Sequence, residues 1–285
     1  MMTSDALDPP VLTSCRLVHG FGSAVDTNDH LLPSLQRQTS LAGKHRLQLD
    51  DGREFLLQRK IGDHTRVAYE LVKGQVSPTP VAVQILDPAP LHDRYVSILQ
   101  RVPPEAPVQR ALFAASDGAS VYVGLRYCPD GTLLEGTVED PRDAMRQILE
   151  GLRVLHRVVG VAHGKLSLAS VGRDGAKFMI GGLDLTVDPR FVAPEALQGG
   201  PIHPSADLWS AGVILWAFLL GKDTLLAAPI PGDPIFRQLQ KDAFWNHCGL
   251  SDDAIDLLRG MLQVKVEDRY TLEQVIEHPW LATGA

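Results

Sequence analysis

The chain has 285 residues, a net charge of −7 and an ordinary composition, 45% hydrophobic and 21% charged. That length suffices for a two-lobed domain with a sizeable core, and the absence of a basic stripe argues against nucleic acid as a partner. Cys15, Cys128 and Cys248 are few, odd in number and far apart. They speak against a disulfide framework or a zinc site and fit a reducing compartment, so a cytoplasmic location is expected.

The chain opens on an acidic stretch interrupted by Pro9-Pro10, which is not the pattern of a signal peptide. Residues 1–44 are weakly periodic and read as an irregular extension, with a short helix candidate at Leu31–Leu35. Leu35-Gln36-Arg37-Gln38-Thr39-Ser40-Leu41 has the form of a basophilic kinase substrate site, a pattern frequent by chance. From His45 the pattern changes. Arg46–Leu49 alternates, Asp50-Asp51-Gly52 supplies a turn, and Glu54–Leu57 resumes extended character, which predicts a hairpin. Val67–Val72, Pro80–Leu86 and Val121–Leu125 read as strands, and Leu91–Arg101 as a short helix stopped by Pro103-Pro104.

After Pro129-Asp130-Gly131 the chain turns helical. Asp140-Pro141 caps a helix with apolar positions Ala144, Ile148, Leu152 and Leu155. Further helices are expected at Ala206–Leu220, Pro234–Phe244, Asp252–Leu262 and Thr271–Glu277. The apolar run Ala211–Leu220 falls short of the ~20 residues a bilayer needs, so no membrane span is expected. Strands first and helices later imply an α+β chain with two lobes.

Phe191-Val192-Ala193-Pro194-Glu195 is followed by Asp207-Leu208-Trp209-Ser210-Ala211-Gly212, and His163 precedes both. The chain closes on Asp268-Arg269-Tyr270-Thr271 and His278-Pro279-Trp280-Leu281. In this order and spacing the motifs resemble the eukaryotic protein kinase domain from about residue 54 to Leu281, most closely its calmodulin-dependent group. The resemblance implies a bilobal fold: an extension at 1–44, a small β-rich N-lobe at 45–127 and a larger helical C-lobe at 128–285. It also implies structural roles for His163, Glu195, Asp207, Trp209, Gly212 and Arg269. Among these are a Glu195–Arg269 ion pair and bonds from Asp207 to the catalytic-loop backbone.

The chemical positions depart from the family. Its machinery is a Gly-rich loop, a strand Lys paired with a helix Glu, a catalytic Asp, a metal-binding Asn and an Asp-Phe-Gly metal site. Here the strand Lys is Gln84, the helix Glu falls at Tyr95, the catalytic Asp is Lys165, the loop Lys is Ser167, the Asn is Ser170, and Ile180-Gly181-Gly182 replaces Asp-Phe-Gly. The loop Arg is Gly164, and Gly181 stands where the spine Phe would stack between Leu99 and His163. Of the loop glycines Gly62 remains, with His64 and Val67 read in place of others. A protonated Lys cannot act as the base, and Ile180 offers no oxygen to a hard cation. Lys60 or Lys73 in place of the strand Lys, and Asp184 as a displaced metal ligand, are weaker readings than solvated surface charges.

The resulting expectation is a catalytically inactive kinase-like domain acting as scaffold or allosteric regulator in signalling, with a protein partner such as an active kinase, no metal and no cofactor. The alternatives are a magnesium-independent ATP-binding switch using Gly62, Ala82, Leu125, Arg126, Tyr127 and Cys128 as an adenine pocket, and a weak, divergent Ser/Thr kinase. The stripe Ile235, Phe236, Leu239, Phe244 and Trp245 reads mostly as core, with a share available to partners.

Overall fold

The computed structural model describes residues 11–18, 45–62, 64–183, 187–200 and 202–282. The helix candidate at Leu31–Leu35, the candidate phosphosite, Asp184 and Thr186 lie outside the described residues. Two compact units emerge: one takes the described residues up to Gln100 with Arg110–Tyr127, the other Arg101–Gln109 with Cys128 onward.

The first unit is a seven-stranded sheet with one helix. Its strands are β1 (Thr13–Val18), β2 (Arg46–Leu49), β3 (Glu54–Lys60), β4 (Thr65–Val72), β5 (Gln75–Leu86), β6 (Ala111–Ser116) and β7 (Val121–Arg126), in the order β1-β2-β3-β4-β5-β7-β6. The β2–β3 hairpin forms as expected. Gly52 takes the left-handed φ of +87° that its turn requires, and its N–H donates to the Leu49 carbonyl at 3.1 Å. The strand β1 corrects the reading of residues 1–44 as irregular throughout. It pairs antiparallel with β2 and bridges parallel to β6 through Thr13–Ala115 and Ser14–Ser116.

Period-two alternation gives the sheet two different faces. Val83 of β5 joins Cys15, Leu47, Leu49, Phe55, Leu57, Ala68, Phe113 and Tyr122 in one buried cluster. Burial, with Asp117 and Asp50 nearby, pushes the Cys15 thiol up to about 12. Ala82, Gln84 and Leu86 alternate with the cluster-facing residues and lie on the other face, where the helix α1 (Pro90–Arg101) reaches them through Tyr95.

The second unit contains a hairpin, β8 (Val171–Asp174) with β9 (Lys177–Ile180), and the remaining helices. These are α2 (Pro141–Arg153), α3 (Pro194–Leu197), α4 (Pro204–Leu220), α5 (Pro234–Leu239), α6 (Asp242–Trp245), α7 (Asp252–Met261), α8 (Leu272–Ile276) and α9 (Pro279–Ala282). The Asp140 carboxylate caps α2, accepting from the N–H groups of Arg142 and Asp143 at 2.9 and 3.2 Å. The helix α2 runs into a π-helical segment, Val154–Val159. The helix α4 is apolar around most of its circumference and buried from Ala206 to Ala217, as the central helix of a core should be. The helix expected at Pro234–Phe244 is two helices. Lys241 is extended (φ −114°, ψ 130°), and the Trp245 indole N–H caps the Leu239 carbonyl at 2.9 Å. Phe236, Leu239 and Trp245 are buried, so most of that stripe is core. Among the described residues no helix is long and apolar enough to cross a membrane.

The tightest packing in the sheet is at Gly124, where a Cβ would sit 2.1 Å from the Phe113 ring. That ring is held by Phe55 at 4.5 Å and by the Arg53 guanidinium at 5.6 Å, so it has little room to retreat. Gly124→Ala is expected to lower stability by about 1–3 kcal/mol, read as a lower urea midpoint at unchanged slope. An unmoved midpoint would show that the Phe113 ring yields freely.

Candidate functional site

In the first unit two of the candidate adenine residues, Ala82 and Leu125, pair across neighbouring strands. Val67 of β4 pairs with Ala82 of β5, Ala82 with Leu125 of β7, and Leu125 with Ala111 of β6. All four are buried. Arg126 ends β7 and is exposed, and the Tyr127 hydroxyl accepts from Arg59 Nη2 at 2.9 Å. Cys128 begins the other unit, its Sγ 2.6 Å from where a Cβ on Gly172 would lie. Val67 lies in the strand β4, set by its cross-strand partner Ala82, and residues 61–64 connect β3 to β4. Ile61 N–H closes that connection on the Thr65 carbonyl at 2.9 Å, and the His64 carbonyl accepts from Ile85 N–H at 2.7 Å. Gly62 is exposed in this turn.

Gln84 and Tyr95 meet. The Tyr95 hydroxyl donates to Gln84 Oε1 at 2.6 Å, with 5% and 9% of the two residues exposed. The residues standing for the family's strand Lys and helix Glu thus contact each other, which supports their assignment and replaces an ion pair by a neutral hydrogen bond. Lys60 is exposed at the level of Arg66, and Lys73 lies in the turn at the opposite end of the β4–β5 ladder from Gln84.

In the second unit Asp207, on the first turn of α4, is fully buried. Its carboxylate accepts from His163 N at 2.8 Å, Gly164 N at 2.7 Å and His156 Nε2 at 2.7 Å. Sequence reasoning anticipated the backbone bonds and missed His156. His163 Nδ1 accepts from Lys165 N at 3.2 Å, so its Nε2 carries the hydrogen and donates to the Gly181 carbonyl at 2.8 Å. Burial lowers the His163 pKa, which keeps the ring in that neutral form. Gly164 has φ +73°, and a Cβ there would meet Ile202 Cγ2 at 2.9 Å, so an Arg at this place would be strained and crowded.

Lys165 is half-buried on the same loop. Ser167 and Ser170 are buried. The Ser170 hydroxyl accepts from Ser167 N and donates to Ser167 O, both at 2.9 Å, so it is spent on the loop's own backbone. Ile180 is fully buried, and its Cδ1 lies 2.7 Å from where a Cβ on Gly151 of α2 would stand. Its backbone is bonded on both sides, N–H to the Pro107 carbonyl at 2.9 Å and carbonyl from Gln109 N–H at 2.6 Å. A Cβ on Gly181 would lie 2.2 Å from Gln109 Oε1, so the Gln109 carboxamide covers the place where the family's Phe begins. Nothing in the sequence near Gln109 signalled that contact. Among the described residues no group of three or more His, Cys, Asp or Glu could hold a metal ion.

Arg269 binds Glu195 bidentately, Nη1 to Oε1 at 2.7 Å and Nη2 to Oε2 at 2.9 Å. It also donates to the Ser205 and Gln263 carbonyls and lies 5.4 Å from the centre of the Trp209 ring. A Cβ on Gly212 would come within 3.0 Å of Leu262 and Met261, which shows how closely α7 approaches α4.

Residues 176–281 match the protein kinase domain family. The chain is 29% identical over 195 residues to a maternal embryonic leucine zipper kinase of Danio rerio, covering 58% of this chain and 28% of that protein. It is 29% identical over 219 residues to the calcium-dependent protein kinase SK5 of Glycine max, covering 66% and 42%. To the calcium/calmodulin-dependent protein kinase type 1 of Macrobrachium nipponense it is 27% identical over 268 residues, covering 81% and 76%. The chain thus spans less than half the length of the first two of these relatives. Fold, motif order and these likenesses define the class: this is a protein kinase-like domain of the bilobal kinase fold. Within that class it is similar to the calcium- and calmodulin-dependent kinases.

Two measurements check the geometry. Gln84→Lys and Tyr95→Glu each place an uncompensated charge in a buried site and should each lower stability by about 2–4 kcal/mol, while the double variant, able to form an ion pair, should lose clearly less than the sum. Strict additivity in urea unfolding would separate the two positions.

At Glu195 burial alone would raise the carboxyl pKa, but the hydrogen bonds and charge of Arg269 outweigh it and hold it below its ordinary value. A depressed folded pKa gives stability that is present above the unfolded value, about 4.3, and lost as pH falls through the folded one. Glu195→Gln should therefore cost about 2–3 kcal/mol at pH 7, and the gap to wild type should close below pH 4–5. A gap independent of pH would mean the pair contributes packing alone.

Proposed function

We propose that this chain is a pseudokinase, a kinase-like domain that acts in signalling as scaffold or allosteric regulator of a protein partner such as an active kinase, without transferring phosphate. The observation that carries this reading is the buried Tyr95–Gln84 hydrogen bond. The two positions that would hold and orient a triphosphate carry neutral side chains bonded to each other. Magnesium does not fit the residues present, since Ile180 has no donor oxygen and is buried against α2, and the Ser170 hydroxyl is engaged by its own loop. Lys165 offers no base. Each deficit alone costs about 10²–10³ in rate where a transition-state contact is lost, and the effects combine without being additive. A cytoplasmic setting belongs to the same proposal.

One observation favours a second reading, nucleotide binding without magnesium. The row Val67, Ala82 and Leu125 is apolar and intact, and adenine recognition needs an apolar face more than charge.

The test is a melting-temperature titration of the protein with ATP and ADP across a magnesium series, run beside a radiolabel transfer assay. The proposal expects no magnesium-dependent shift and no transfer. A shift that ignores magnesium would select the second reading. Transfer abolished by Lys165→Ala would overturn both.

A further inference from the structure

In this chain α1 is fastened at two places by groups that no nucleotide supplies. One is Tyr95, bonded to Gln84 of β5. The other is Gln100, near the helix's C-terminal end. Its carboxamide is bonded in both directions to the Val11 backbone: Nε2 donates to the Val11 carbonyl at 2.7 Å, and Oε1 accepts from the Val11 N–H at 3.0 Å. Tyr95 and Gln100 are about 7.5 Å apart along the axis. Tyr95, Val96, Ile98 and Leu99 are buried around the first point, and the second holds the C-terminal end of the helix.

Val11 is firmly placed because it leads into β1. That strand pairs with β2 and β6 at once, the Thr13 hydroxyl donates to the Ala114 carbonyl at 3.2 Å, and Cys15 is buried in the sheet's cluster. A short N-terminal segment thereby ties α1 to both ends of the strand order.

We propose that residues 11–18 form an intramolecular strap that sets the position of the C-terminal end of α1. The bonds of the Gln100 carboxamide to the Val11 backbone hold the helix at an end that the Tyr95–Gln84 contact does not reach. The inference concerns α1 alone and stands whether or not nucleotide binds.

Hydrogen–deuterium exchange on the full chain, read by mass spectrometry, tests it. Gln100→Ala removes both bonds from the helix side at an exposed position, and Val11→Pro removes the strap's donor. Each should speed exchange in the last turns of α1 and in β1 about fivefold, the effect of one net hydrogen bond. Exchange in α4 should not change. Val11→Pro leaves the Val11 carbonyl in place, so neither it nor the double variant should exceed Gln100→Ala, which already removes both bonds. Unchanged α1 exchange in both variants would overturn the proposal. So would faster exchange spread evenly over β3, β4, β5 and α1, which would report lost overall stability and no strap.

Discussion

The second unit is arranged around a buried carboxylate. Asp207 sits on the first turn of a helix that is buried nearly all round, and it faces no Lys or Arg. A buried charge is tolerable only when fully hydrogen-bonded, and three donors meet that requirement: two consecutive backbone N–H groups and one imidazole. The requirement shapes the loop. To aim both His163 N–H and Gly164 N–H at one carboxylate the chain turns sharply, Gly164 takes a left-handed φ, and His163 is directed to the Gly181 carbonyl. The form of this loop thus follows from satisfying the Asp207 carboxylate.

The departures from the family pattern share a physical feature. Each replaced group has found a partner close at hand. Tyr95 meets Gln84, Ser170 closes on Ser167, Ile180 fills the space left by Gly151, and Gln109 covers Gly181. Groups positioned for a ligand would be expected to keep capacity unspent until the ligand arrives. These spend theirs on the protein itself.

Much of this was legible in the sequence where the signal is local. The alternation of Val81-Ala82-Val83-Gln84 placed Gln84 on its face, and the spacing along α1 placed Tyr95 correctly enough for the two to meet. The motifs around Glu195, Asp207 and Arg269 gave both buried charge networks. Other elements carried too little local signal. The strand β6, Ala-Leu-Phe-Ala-Ala-Ser, is rich in a residue depleted from strands and was missed. The strand β1 exists because β2 and β6 flank it, a long-range cause that no window of sequence contains. The break between α5 and α6 falls on Gln240 and Lys241, good helix formers overruled by the indole of Trp245.

The two kinds of buried polar position have opposite fates, and the difference follows from energetics. Glu195, Arg269 and Asp207 are bonded to protein atoms, so their desolvation is compensated within the fold itself. A Lys–Glu pair at positions 84 and 95 would have no such guarantee. In a nucleotide-using kinase the Lys also contacts phosphates; without them, a buried pair in that place gains little over a neutral hydrogen bond of similar size and carries the larger desolvation cost. Exchanging both members together for Gln and Tyr removes that cost without leaving either group unsatisfied. What the exchange gives up is the charge of the pair, and a second fastening, at Gln100, holds the C-terminal end of α1 to the chain's own N-terminal segment.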